Sequence, residues 1–189
     1  MASPSSTFLS LPPPLPTVAL HTALRLPPDV EIYTGLKSAA ALLPRQSLFV
    51  TTAVGSVHTA TLRLANASGH NKNAMKTFPA DERFEVLSLV GTLSRDGVHL
   101  HVSLGDADGK VWGGHLVKAT VYTTLEVVLG CFTELQFERV YDDRTGFKEL
   151  RVREKAGQNK ATMGTVGVAC AGAGLGMLLS LAIRKFYRH

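Results

Sequence analysis

Between residue 21 and about residue 152 the chain alternates apolar and polar positions in short runs, each cut by Gly, Pro, Asn or Asp. Alternation with period two sends successive side chains to opposite faces of a strand, so these runs predict a sheet with one face toward a core. HTALRL, SLFVTTAV, HTATLRLA, RFEVLSLVGTL, GVHLHVSL, KVWGGHL, YTTLEVVLG and ELQFERVY all read as strands. SRDG, GDADG and DDRTG, which separate the later runs, carry the residues that tight turns need. One stretch departs from this texture. Over 30–43, Ile32, Leu36, Ala39, Ala40 and Leu43 recur at helical spacing, after punctuation by Pro27, Pro28 and Asp29. Gly55 and Ser56, lying between two strand-like runs, predict a hairpin or a bulged turn. The polar stretch NASGHNKNAMKTFPADE predicts a loop. The expected fold class is α+β: a single domain with a curved, mostly antiparallel sheet packed around one main helix.

Outside this region the alternation stops. Residues 1–18 are rich in Ser and Pro, and Pro12, Pro13, Pro14 and Pro16 preclude a continuous helix, so a disordered arm is expected. The arm lacks the basic start and unbroken apolar stretch of a secretory signal. Residues 153–160 form a basic linker, and 161–183 then read ATMGTVGVACAGAGLGMLLSLAI, without a charge. A bilayer core needs roughly 20 residues of helix, so this stretch predicts a C-terminal transmembrane helix. Gly172 and Gly176 form the G-x-x-x-G pair that brings membrane helices close. The competing reading is a buried helix or hairpin that completes the soluble core. Residues 184–189 make a basic tail. Modest hydrophobicity with basic flanks predicts a single-pass C-terminal anchor in the mitochondrial outer membrane, with the domain facing the cytosol.

Charge sharpens this picture. The chain of 189 residues carries 20 Lys and Arg against 15 Asp and Glu, a formal net charge of +5. The basic residues cluster at Arg151, Arg153, Lys155 and Lys160 and again at Arg184, Lys185 and Arg188, around the uncharged stretch. That is the flank of a membrane segment rather than a groove for nucleic acid, and no nucleic-acid partner is favoured. Two cysteines, Cys131 and Cys170, do not make a disulfide framework or a cysteine metal site.

The stretch ERFEVLSLVGTLSRDGVHLHVSLGDADGKVWGGHL, followed by VYTTLEVVLG and DDRTGFKEL, resembles the PPC domain, the plants and prokaryotes conserved domain that also accompanies AT-hooks in plant nuclear proteins. The resemblance extends back through ALRLPPDVEIYTGL and FVTTAVGSVHTATLRLA, and so covers residues 19–152. It implies a curved antiparallel sheet holding a helix, and assembly as a homotrimer. In the plant relatives an Arg-Gly-Arg AT-hook enters the DNA minor groove. No AT-hook core occurs in this chain, and its TGFKEL ending is similar to the stand-alone prokaryotic type, so the DNA-binding role does not carry over.

In GVHLHVSL the strand period places His99, His101 and Ser103 on one face and Val98, Leu100 and Val102 on the other, which packs into the core. His115 follows Gly113 and Gly114, whose lack of side chains lets another backbone or a ligand come close. Three neutral imidazoles suit zinc or another divalent transition metal, with a fourth position open to water. Some prokaryotic relatives look like metal-containing proteins with the same His-x-His plus Gly-Gly-His pattern. The alternative is that these are exposed or hydrogen-bonded strand residues that serve trimer packing, and both readings stand. Asp106, Asp108 and Glu126 are candidates for an acid or base, but no catalytic residue is identified. DADG reads as a turn, Trp112 as a packing anchor, and His21, His58 and His70 as isolated structural or exposed residues.

The function expected is a membrane-tethered trimeric binding or scaffold protein with a histidine-cluster site for a metal or small ligand. Its partners would be further copies of itself and, through the C-terminal helix, the lipid bilayer. The rival is a metal-dependent enzyme acting on a small molecule. A DNA-binding regulator comes third, because SRDGVHLHVSLGDADGK and YDDRTG hold too much acid for a basic groove.

Overall fold

Long strands carry the fold. The computed structural model describes residues 19–43, 47–66 and 72–155. In chain order these form β1 (Ala19–Leu26), α1 (Ile32–Leu42), β2 (Leu48–Arg63), β3 (Met75–Ser94), β4 (Gly97–Gly105), β5 (Val111–Phe132), β6 (Leu135–Asp142) and β7 (Phe147–Glu154). The main sheet has the order β1-β5-β2-β3-β4, and β4 pairs in addition with the start of β5. All its pairings are antiparallel. The ladder thus closes on itself, and β5 is its hub, bonded to β1, β2 and β4 along different parts of its length.

Closure gives the period-two alternation an inside. Leu62, Leu89, Leu100, Leu104, Leu116 and Leu125 are all almost fully buried, and α1 adds Ile32 and Leu36 to the same core. Each such side chain contributes about 1.5–3 kcal/mol relative to an exposed one. The helix begins at Glu31, whose carboxylate accepts from the backbone N–H of Tyr33 at 2.9 Å and of Thr34 at 2.8 Å. That satisfies two of the donors that a helix start leaves unpaired.

Bulges, not turns, join several of the short runs. The Gly55–Ser56 junction is no hairpin: β2 continues through it with a shift of register against β5. A Cβ on Gly55 would lie 2.0 Å from the Thr124 carbonyl oxygen, at φ +151°, so only glycine lets the two backbones approach there. The runs around Gly113 and Tyr122 likewise merge into β5. The predicted loop is partly strand, because β3 starts at Met75. Residues 79–82 nevertheless bulge outward, since pairing with β2 jumps from Phe78–Ala60 to Arg83–His58. β4 pairs with β3 only from Glu85 onward, so the missing N–H of Pro79 breaks no ladder bond.

Two expectations are therefore corrected. The fold is a mostly antiparallel sheet with one short helix among the described residues, not an α+β arrangement with a C-terminal transmembrane helix. The physical reason is that bulged strands run on where turns were predicted, so strand takes over the architecture. Among the described residues no helix is long and apolar enough to cross a membrane, and α1 has only 11 residues. The stretch 161–183 that prompted the transmembrane reading lies outside the described residues, as do the arm 1–18 and the tail 184–189. The membrane location, a single-pass anchor in the mitochondrial outer membrane, is corrected with it, because it rested on that helix alone.

Beyond the main sheet, β6 and β7 form a separate two-stranded hairpin. Its turn is held by Asp142, whose carboxylate accepts from the Arg144 backbone at 2.9 Å and from the Arg144 guanidinium at 2.8 Å. These bonds hold the Asp142 carboxyl at about 2. β7 reaches Glu154, into the basic stretch assigned to a linker.

Candidate metal centre

The register of three neighbouring strands assembles the site. His101 of β4 lies directly opposite His115 of β5, and on the other edge of β5 Arg63 of β2 is opposite His115. His99 precedes His101 on the same face and is opposite Thr92 of β3. Gly114 permits this arrangement: a Cβ there would stand 2.9 Å from the Arg63 carbonyl oxygen, so any other residue would push β2 away. The core face of β4 supplies the anchor, with Leu100, Val102 and Leu104 buried.

The three imidazoles converge. Ring centroids are 5.1 Å apart for His99 and His101, 5.0 Å for His99 and His115, and 5.4 Å for His101 and His115. One ring nitrogen from each lies within 4.8 Å of the other two, and the Nε2 atoms of His99 and His101 are 3.2 Å apart. A tetrahedral ion with Zn–N bonds of about 2.0–2.1 Å places its ligand nitrogens roughly 3.3 Å apart; the His99–His101 pair matches this at 3.2 Å, and the His115 nitrogen, up to 4.8 Å away, would have to turn inward.

The electrostatics fit as well. Burial pushes the His115 imidazole down to about 4, helped by the Arg63 guanidinium and by the other two histidines. His99 is also lowered, first by burial and then by Arg139, while Glu149 works in the opposite direction. Neutral imidazole is the form that binds metal. The Nδ1 atom of His115 is buried and has no hydrogen-bond partner among the described residues. A buried lone pair without a donor is costly, and an ion is one way to satisfy it.

The β6–β7 hairpin folds back over this face. Arg139 of β6 donates through Nη2 to Thr92 Oγ1 at 2.5 Å and through Nη1 to His99 Nδ1 at 3.5 Å. Phe147, at the start of β7, lies under the Arg63 guanidinium, 5.2 Å from its ring centre. Sequence reasoning missed Arg63, Thr92, Arg139 and Glu149. Nothing in the local pattern marks them, since they come from strands whose contact with the histidines depends on closure and on the hairpin's return.

The carboxylates singled out from the sequence do not join the cluster. Asp106 is engaged in its own turn, accepting from Lys110 N at 2.8 Å, Asp108 N at 3.1 Å and the Trp112 indole at 3.0 Å. The indole hydrogen bond lowers its carboxyl below the usual range, with the backbone bonds adding to it. A cleft of about 440 Å³ beside that turn is lined by Asp81, Glu82, Arg83, Asp106 and Asp108, and includes no histidine. Glu126 lies far along β5, opposite Arg25 and Val54. Trp112 packs its ring against Phe78 at 5.5 Å, with Lys76 and Lys110 over it, as an anchor would. His70 lies outside the described residues.

The closed sheet belongs to a known class of domain. Residues 17–133 match the Plants and Prokaryotes Conserved (PCC) domain, the same family as the PPC resemblance above, and the chain belongs to it. A protein from Synechococcus sp. (strain JA-3-3Ab), named bifunctional protein GlmU, is 41% identical over 155 residues. The match covers 81% of this chain but 24% of that protein, so the chain spans about a quarter of the length of this curated relative. A protein of solved structure from Salmonella enterica is 32% identical, with a TM-score of 0.67, over 75% of this chain and 98% of that one. A metal-containing protein from Archaeoglobus fulgidus is 26% identical, with a TM-score of 0.60, over 69% of this chain and 91% of that one. The hairpin that carries Arg139 lies beyond the matched residues 17–133.

Proposed function

We propose that this PCC-domain chain is a metal-binding module that holds one zinc, or a similar divalent transition ion, on His99, His101 and His115, and that it works as a homotrimer. One observation carries the metal reading: three imidazoles converge with one ring nitrogen from each within 4.8 Å of the others, and His115 keeps a buried nitrogen without a partner among the described residues. The Archaeoglobus relative, described as metal-containing, supports it. The trimer rests on the family resemblance and on Val54, Leu87, Val90, Val111 and Val117, large apolar side chains left exposed along β2, β3 and β5 that further copies can cover.

Bound there, the ion would supply a Lewis acid at its remaining coordination position. The chain's own residues do the rest. His99 and His115 stay neutral near pH 7 because burial disfavours their charge, Gly114 keeps Arg63 close to His115, and the hairpin shields one side of the cluster. A metal-dependent enzyme is the second reading, favoured by the half-buried Arg139 and Glu149 close to His99. The full chain, purified without chelator and supplied with zinc, should retain one ion per chain by plasma mass spectrometry. Absence of stoichiometric metal would overturn the metal reading, and a monomer by light scattering at micromolar concentration would overturn the trimer.

A further inference from the structure

We propose that the histidine face takes a small carboxylate ligand, with one carboxylate oxygen at the ion and the other held by Arg139; this rests on the metal reading above. The first argument is charge. Around the three imidazoles the structure gathers two guanidiniums, Arg139 and Arg63, and a divalent ion would raise the positive charge further. Two exposed arginines of this chain pair with carboxylates, Arg144 with Asp142 at 2.8 Å and Arg153 with Glu138 at 3.0 Å. Among the described residues Arg139 and Arg63 form no ion pair, although both are at least partly withdrawn from solvent. Glu149 acts on Arg139 and His99 only at longer range. A half-buried guanidinium without its own carboxylate is the form in which proteins keep a site for an external one.

The second argument is position. Thr92 Oγ1 accepts from Arg139 Nη2 at 2.5 Å, and Nη1 of the same guanidinium faces His99 Nδ1 at 3.5 Å, so Arg139 is held at the edge of the histidine cluster. A planar carboxylate entering beside an ion on the three histidines would find its second oxygen within reach of that guanidinium. His101 is exposed, so the ligand has a way in from solvent.

The test uses the full chain loaded with cobalt(II), whose visible absorption reports both uptake of the ion and entry of a new ligand. Acetate is titrated against its neutral analogue acetamide at constant ionic strength. The wild-type spectrum should shift with acetate at concentrations where acetamide does nothing. Arg139→Gln should load cobalt like wild type yet bind acetate at least about tenfold more weakly, the loss expected for one charge-assisted contact. Arg139→Lys should fall between the two. Glu149→Gln should bind acetate more tightly, because it removes the nearest opposing charge, and a purely structural part for Arg139 predicts no such gain. Equal acetate affinity in wild type and Arg139→Gln, with both loaded, would overturn the proposal and leave the metal reading intact. Equal response to acetate and acetamide would do the same. A chain that takes up no cobalt overturns both.

Discussion

His58 and His115 hang from the same pair of strands, β2 and β5, and they meet opposite surroundings. His58, on β2 opposite Thr120 of β5, has Nε2 3.4 Å from Asp29 Oδ1 and Nδ1 3.2 Å from Thr59 Oγ1, with its ring edge-on to Tyr122. Both nitrogens are satisfied. His115, on β5 opposite Arg63 of β2, faces a guanidinium and two other imidazoles, and its Nδ1 has no partner among the described residues. Both residues are half-buried, so exposure does not separate them. What separates them is the sign of the neighbour. A carboxylate beside a histidine completes it as a structural group, whereas burial, with a cation close by, keeps His115 neutral and leaves its lone pair free for a ligand.

The strongest way to break this contrast is to remove each region in turn. Replacing His99, His101 and His115 together by Ala should abolish bound divalent metal, while His58→Ala should keep it at wild-type stoichiometry. The triple variant should stay folded by circular dichroism, because the opposite face of β4 carries the packing. Metal retained by the triple variant would end the distinction.

A smaller effect follows from the proton. His115 has its folded value near 4, below the ordinary 6.5, so the unfolded chain takes up that proton first as pH falls. Its contribution to stability is complete above pH 6.5 and is lost on descent through about pH 4. Urea melts of the metal-free chain across that window should show falling stability, and His115→Ala should flatten the slope. An unchanged slope would mean that the neutral state of His115 is not what burial imposes.

The smallest effect belongs to His58. Its partner Asp29 is largely exposed, so Asp29→Asn should cost only about 0.2–1 kcal/mol, read from the urea midpoint. A larger loss would show that this pair, at a left-handed Asp29 with φ 66°, anchors the β1–α1 turn more firmly than a surface contact does.

What the amino-acid sequence determined by itself is what local periodicity encodes. The alternation in GVHLHVSL is enough to put His99 and His101 on one face and Leu100 and Val102 on the other, because a strand allows no other arrangement. Helical spacing likewise located α1 to within two residues, and the composition of SRDG, GDADG and DDRTG located the turns. Strand length was not legible in this way. Gly55 reads as a turn signal in isolation, and only the backbone of β5 passing beside it turns that signal into a bulge. The surroundings of the histidines belong to the tertiary structure for the same reason. His115 meets His101 because the ladder closes, Arg63 meets His115 through register across β2 and β5, and Arg139 reaches His99 because a hairpin forty residues further on folds back over the sheet. Those contacts are nonlocal, so no short pattern records them, and they decide whether three histidines on a strand face remain solvated side chains or become a site.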